Sequence, residues 1–463
     1  MFATFVGLSP IIISTLYTHP WWDDYGHTYL TSVAVKNGFF AVFAEAISRV
    51  VSEYKGSTGC YAHIFIASLS PHIINYSFYK VFMFFSSLFF IFSVYFLMFT
   101  LNKYILLMEK WLAVTIGSLI IIFTGFFAPS SVEFFFYMAA VTNFIWPITA
   151  CTLGIGVFIR LCNTKDRKFI ALYTAILIIC AMITGGSSLA PGLFIALLVF
   201  VAMVSVIIFS KSRRNKILAC VCGSLQIVAF LTNALAPGHI FRKGAAGLSL
   251  PMSIYSSIKH TFEMIVSWSM EGLIIIVILA LIPLIIKYVK KIDFKFPWPL
   301  AVIIISFLLI SSTYAPAFYS NYASAGPGRV SNCVYYFYMW WLLGNVVYGA
   351  GWLTHKITKK IRVRLPAYYL CLAVLAIFIM PMSGIKESTG VLCFNQLITG
   401  QTQTYDREMT AIYHELSTGE GRDIIVPKLT AYPLVRNGTF SDMKSGSTAK
   451  AAKYWRQSSL TAE

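Results

Sequence analysis

Apolar runs recur through most of the chain, broken by short segments in which the charged residues collect. A bilayer core about 30 Å thick is crossed by about 20 apolar residues in a helix. Runs of that kind fall at 76–100, 112–128, 139–159, 169–184, 189–210, 217–236, 272–286, 298–314, 330–353 and 366–383. The segment 2–18 is shorter and has a polar face. No basic residue precedes it, so the pattern predicts a retained first helix rather than a cleaved signal peptide. The expected fold is an all-α polytopic membrane protein with about eleven transmembrane helices.

Between the first two runs, 31–52 sets Val33, Phe39, Phe40, Phe43 and Ile47 against Lys36, Glu45 and Arg49. That is the pattern of an amphipathic helix lying in the membrane interface. The stretch 60–74 is apolar but too short to span, and is expected to lie in the interface as well. Segment 237–268 is similar, with an amphipathic stretch after Pro251. From Gly384 the composition turns polar, with turn-forming Gly and Asn. The chain therefore divides into a transmembrane domain, 1–383, and a small exported C-terminal region, 384–463. The exported loops of the first part are 19–75, 129–138, 237–271 and 315–329. No internal repeat is evident, which counts against an inverted-repeat transporter.

The 463 residues are 58% hydrophobic and 12% charged, with a net charge of +18. Charge this sparse excludes a disordered chain and a typical soluble enzyme. The surplus would suggest nucleic acid in a soluble protein, but its distribution gives another reading. Loops 101–110, 160–168, 211–216, 287–296 and 355–364 hold 19 Lys and Arg against Glu109, Asp166 and Asp293. These are alternate loops, and by the positive-inside rule they face the cytoplasm. The amino terminus is then cytoplasmic and the C-terminal region periplasmic or extracellular. The excess is a topology signal, and no nucleic-acid partner follows from it.

Of nine cysteines, Cys151, Cys162, Cys180, Cys220, Cys222 and Cys371 fall in or beside spans and cytoplasmic loops, where a thiol acts as a small apolar group. Cys60, Cys333 and Cys393 lie on or near the outer side, and a Cys60–Cys393 bridge is one open pairing. No Cys/His spacing suits zinc, and no Gly-rich phosphate loop is present.

The sharpest local feature follows the first run: His19-Pro-Trp-Trp-Asp-Asp-Tyr-Gly-His27. Two adjacent carboxylates near a low-dielectric boundary repel each other and lose solvation, so at least one should titrate high. Asp23 or Asp24 would then suit a general base, or a ligand for a divalent cation such as Mg²⁺ or Mn²⁺. A solvated loop beside an aromatic belt of Trp21, Trp22 and Tyr25 is the plainer alternative. On the same side stand His239, Arg242 and Lys243 in Ala236-Pro-Gly-His-Ile-Phe-Arg-Lys243, and Arg329 in Ala325-Gly-Pro-Gly-Arg329. Arginine makes bidentate contacts with phosphate, and Gly-Pro turns let backbone N–H groups approach an anion. Snorkelling cations would explain them equally well. Glu133 and His27 are additional candidates on this face.

At these residues the sequence resembles the GT-C superfamily of integral-membrane glycosyltransferases. The closer likeness is to bacterial serotype-converting O-antigen glucosyltransferases and related membrane proteins. It rests on Asp23-Asp24 after the first span, Leu235-Ala-Pro-Gly-His-Ile-Phe-Arg242 and the exported tail. The chain departs from the pattern at Gly185-Gly-Ser-Ser188, which holds no acid. The resemblance implies an enzyme of the bacterial inner membrane using a polyprenyl-phosphate-linked sugar. The sugar, glucose by that likeness, would pass to a cell-surface polysaccharide such as O-antigen (the lipopolysaccharide side chain, hence serotype conversion) or to a lipid-linked acceptor. Asp23 or Asp24 would be base or metal ligand, and Arg242, Lys243, His239 and Arg329 would hold the donor phosphate. A transporter or flippase for lipid-linked sugars and an O-antigen polymerase are the alternatives. A transporter would be expected to carry ionisable sites at mid-membrane, where this chain has almost none.

Overall fold

The computed structural model describes residues 2–242, 247–320, 325–356, 365–379, 384–436 and 445–462. The first helices are α1 (Phe2–Ser14), α2 (Asp23–Ala34), α3 (Phe39–Gly56), α4 (Tyr61–Ser68), α5 (Phe78–Leu101), α6 (Lys110–Phe127) and α7 (Met138–Ala140). The middle of the chain forms α8 (Trp146–Asn163), α9 (Arg167–Gly185), α10 (Leu189–Phe209), α11 (Arg213–Ala234), α12 (Gly238–Arg242), α13 (Leu250–Met270) and α14 (Leu273–Val289). The remainder forms α15 (Pro299–Ser311), α16 (Ala315–Ser320), α17 (Gly328–Lys356), α18 (Leu365–Ile379), α19 (Thr389–Ile398), α20 (Gln401–Ser417) and α21 (Ser445–Trp455). Two short strands, β1 (Asp423–Val426) and β2 (Ser459–Ala462), pair in parallel.

Among the described residues, six helices are long and apolar enough to cross a membrane: Phe78–Leu106, Lys110–Phe127, Met138–Asn163, Arg167–Gly185, Leu189–Phe209 and Arg213–Ala234. α13 and α14 qualify together but meet at a 77° bend, giving seven if they form one broken span. The chain is thus a polytopic helical protein, but the expected count of about eleven is not reached. Three expected spans are apolar but short: Thr4–Tyr17, Pro299–Ser311 and Tyr368–Ile377. α17 runs for 29 residues, yet Ser, Asn, Gly and many Tyr and Trp side chains dilute its apolarity.

Burial sorts the spans. More than half of Phe78–Leu106 and Met138–Asn163 is buried, against 22% for α9 and α10 and 28% for α11. α5 and α8 therefore form the packed interior, and α9–α11 present apolar surface outward. Hydrogen bonds fix the two ends. Arg160 Nε donates to Thr100, Arg214 to the Leu161 carbonyl, and the Tyr348 hydroxyl to the Pro297 carbonyl. Lys287 Nζ lies 3.3 Å from Glu109. These contacts gather the basic loops 101–110, 160–168, 211–216 and 287–296 on one face. At the opposite end Asn332 closes a two-way bond with the Ser130 backbone, and Asn233 holds the Gly185 and Ser187 carbonyls.

Two expectations for the first loop are corrected. The amphipathic segment 31–52 is not one helix, because Gly38 at φ 90° breaks it into α2 and α3. Along α3 the side chains of Phe39, Phe40, Phe43, Ile47 and Val51 are exposed while Val42, Ala46 and Arg49 are buried, which leaves an apolar outer face suited to lipid. The stretch 60–74 does not lie on a surface. It folds as α4 and a turn at Pro71–Ile73, with Ala62, His63, Ile64, Ala67 and Ser68 buried. The pairing of Cys60 with Cys393 is also overturned, since neither forms a disulfide and each is buried. Cys60 accepts from the Thr58 hydroxyl, and Cys393 sits near Ser14.

The C-terminal segment packs onto the rest of the chain. α19 lies against α1 and α6, and α21 against α2. Tyr25, Tyr76, Tyr413, Tyr454 and Trp455 form a continuous ring cluster. His19 stacks on Tyr76 and Tyr413, bonds to the Tyr76 hydroxyl through Nδ1, and faces Asp406 Oδ1 with Nε2 at 2.9 Å. Lys80 pairs with the same carboxylate.

Candidate functional site

Trp22, immediately before the Asp pair, has φ 29° and ψ −92°, a costly conformation for a bulky residue. It turns the chain sharply into α2, so that two neighbouring carboxylates enter different surroundings. Asp23 is exposed at the helix start, and its Oδ2 accepts from the Tyr137 hydroxyl at 3.0 Å. Asp24 is fully buried. It accepts from the Trp21 N–H at 2.9 Å, the Tyr79 hydroxyl at 2.8 Å and the Ala139 N–H at 3.0 Å. Burial pushes the Asp24 carboxyl from 3.8 up to about 7, against the downward pull of these donors.

Arg329 and Glu133 meet at the same end of the helices. The Arg329 N–H donates to Glu133 Oε2 at 2.7 Å, and its guanidinium Nη1 lies 3.6 Å from Oε1. The guanidinium also lies over the Phe144 ring, 5.4 Å from its centroid. Gly328 makes the approach possible, because a Cβ there would fall 2.5 Å from Ser130 Cβ and 3.0 Å from Glu133 Oε2. Tyr137 links the two pairs: it donates to Asp23 and lies within the electrostatic reach of Arg329. An exposed carboxylate and a half-buried guanidinium are thus linked through a buried phenol.

The other expected residues fall nearby or elsewhere. His27 packs edge-on against His63 at 4.9 Å, and His63 Nδ1 bonds to Thr142 at 2.9 Å, two residues from Phe144. His239 belongs to a second patch, where its Nε2 accepts from the Gly59 N–H at 3.2 Å and lies 3.3 Å from Asn233 Oδ1. Gly238 fits there because a Cβ would fall 2.7 Å from the Ser57 and Thr58 nitrogens. Arg242 ends α12, but its side chain and all of Lys243 lie outside the described residues. No group of three His, Cys, Asp or Glu side chains among the described residues is arranged to hold a metal ion.

Tyr79, Tyr137, Thr142, Phe144 and Asn332 were not singled out from the sequence. Inside or beside apolar runs, such residues look like interfacial aromatics and ordinary span polar groups. The one available signal was polarity: Tyr79 is close to Lys80 at the start of a span, and Asn332 stands one turn after Gly328. The chain matches no known protein family, no curated protein and no solved structure.

Proposed function

We propose that the protein is a membrane glycosyltransferase that moves a sugar, with glucose the first choice, from a polyprenyl-phosphate-linked donor to a cell-surface polysaccharide at the face carrying Asp23. The observation that carries this reading is the juxtaposition of the exposed Asp23 and the half-buried Arg329 about the buried Tyr137 hydroxyl. Such a transfer needs a base for the acceptor hydroxyl and a cation for the charge on the departing phosphate. The exposed Asp23 has access to an acceptor, whereas Asp24 is sealed from it and acts as a positioning residue. Arg329 would bind the phosphate, with Glu133 holding the guanidinium in place. Apolar space exists for a prenyl chain: a cavity of about 160 Å³ between α8, α9, α10 and α11 reaches up to Thr184, beside the Gly185–Ser188 loop.

The inner-membrane location and a cytoplasmic amino terminus belong to the same reading, supported by the gathering of basic loops on the opposite face. The test is transfer of labelled sugar from a polyprenyl-phosphate donor in membranes carrying Asp23→Asn. Loss of transfer at normal membrane abundance supports the assignment. Undiminished transfer removes Asp23 from the chemistry, and no transfer by the unaltered protein with any lipid-linked sugar overturns the enzyme reading in favour of transport.

A further inference from the structure

At the end of the molecule opposite Asp23, the last turns of α5 and the first of α6 pack beside α14 and α17. There the helices leave a second cavity of about 160 Å³, whose lining includes Met98, Leu101, Ile285, Trp340, Leu343 and Gly344. Its walls are almost entirely apolar. A void of about this size lined by aliphatic and aromatic groups stays dry and takes an apolar guest. Nothing in the mechanism proposed above uses it.

The mouth of this cavity is cationic. Tyr288, part of the lining, is flanked by two ammonium groups: Lys287 Nζ lies 5.1 Å and Lys291 Nζ 5.2 Å from its ring centroid. Lys103 sits on the π-helical turn Asn102–Leu106, between lining residues Leu101 and Leu106. Lys110 and Lys290 are exposed in the same two loops. The acids near this mouth are Asp293 and Glu109, which accepts from Trp111 Nε1 and Tyr288 and pairs with Lys287 at 3.3 Å, both side chains being half-exposed. An exposed Lys–Glu pair contributes little, so Glu109 does not by itself withhold Lys287 from a stronger anion such as a phosphate. Five lysines against two acids leave a net positive rim around an apolar slot.

We propose that this cavity is a binding site for an anionic phospholipid, with one acyl chain between α5, α14 and α17 and the headgroup phosphate among Lys103, Lys287 and Lys291. A membrane-surface lysine favours an anionic lipid by an amount equivalent to about fivefold in affinity. The site would tether the broken pair α13–α14 to the packed interior; it rests on the basic loops facing the cytoplasm, where anionic lipid is available, and not on sugar transfer.

Trp340 in the lining supplies the readout. The full-length protein is reconstituted in phosphatidylcholine vesicles containing a minor fraction of either brominated phosphatidylglycerol or brominated phosphatidylcholine. The quenching lost in Trp340→Phe is the signal from the cavity. Phosphatidylglycerol is expected to quench with several-fold higher apparent affinity, and Lys287→Gln with Lys291→Gln should remove that preference. Gly344→Leu should abolish the Trp340 component by filling the cavity, into which a Cβ at Gly344 enters with nothing within 4 Å. Equal quenching by the two lipids, or a Trp340 component unchanged in Gly344→Leu, overturns the proposal.

Discussion

The Tyr137 hydroxyl donates to Asp23 Oδ2 at 3.0 Å, joining two loops that are 114 residues apart in the chain. The bond orients the Asp23 carboxylate, and the phenol that makes it lies within the electrostatic reach of Arg329. Tyr137→Phe removes one hydrogen bond to a charged acceptor, worth about 1.5–3 kcal/mol. Transfer should therefore fall about 10- to 100-fold, with membrane abundance unchanged. Steady-state transfer assays on matched membranes measure this directly.

Arg329 is half-exposed, and its backbone as well as its guanidinium is tied to Glu133. Arg329→Lys keeps the charge but loses the planar fork and the contact over Phe144. It should weaken donor use almost as much as Arg329→Ala. Glu133→Gln should raise the apparent KM for donor more than it lowers kcat, because it loosens the guanidinium without removing it. A kcat loss at unchanged KM would contradict that role.

Asp24 satisfies two backbone N–H groups and the Tyr79 hydroxyl, and Tyr79 in turn accepts from the Met138 N–H at 3.1 Å. Asp24→Ala leaves these buried donors unpaired, at about 1–3 kcal/mol for each. The variant should unfold at a clearly lower temperature in detergent, as read by intrinsic fluorescence. Asp24→Asn should fall between the two, because its amide oxygen still accepts while its NH₂ opposes a donor.

The same carboxyl makes stability depend on pH. Its folded-state pKa of about 7 lies above the ordinary 3.8, so the folded chain holds a proton that the unfolded chain releases. This contribution is fully present below about 3.8 and is lost as pH rises toward about 7. Burial works the other way at His19 and His72, pushed down to about 4 and about 3; their contribution grows as pH rises toward 6.5. The diagnostic quantity is therefore the unfolding temperature of wild type minus that of Asp24→Asn, which should shrink between pH 4 and pH 7.

Asp406 is gripped by Lys80 and faced by His19, which pins α20 to α5 and the first loop. Asp406→Asn should free the C-terminal segment to open. Limited proteolysis is expected to cut around 418–422 several-fold faster in the variant, while cleavage of the basic loops on the other face stays as it was.

The legible part of this protein was its division into apolar runs and charged loops. Helix-forming apolar stretches and the excess of Lys and Arg in 101–110 or 287–296 are local properties, because each run meets lipid and each loop meets water regardless of its neighbours. The span count was less legible. Whether α15 or α17 crosses a bilayer depends on length and polarity that its packing partners can compensate. The candidate site was visible only as its charged members: Asp23, Asp24, Glu133 and Arg329 stand out against an apolar background. The sequence could not say that Asp23 faces outward and Asp24 inward, since adjacent residues differ by a turn of about 100° around a helix, and the strained Trp22 sets its phase. It could not show Tyr137 or Tyr79 as their partners either. Those contacts join positions from different loops, and long-range pairing leaves no periodic trace in the chain. Composition thus determined a polytopic helical protein with charge segregated to one end, and tertiary packing decided which of two neighbouring carboxylates is buried and which one meets solvent.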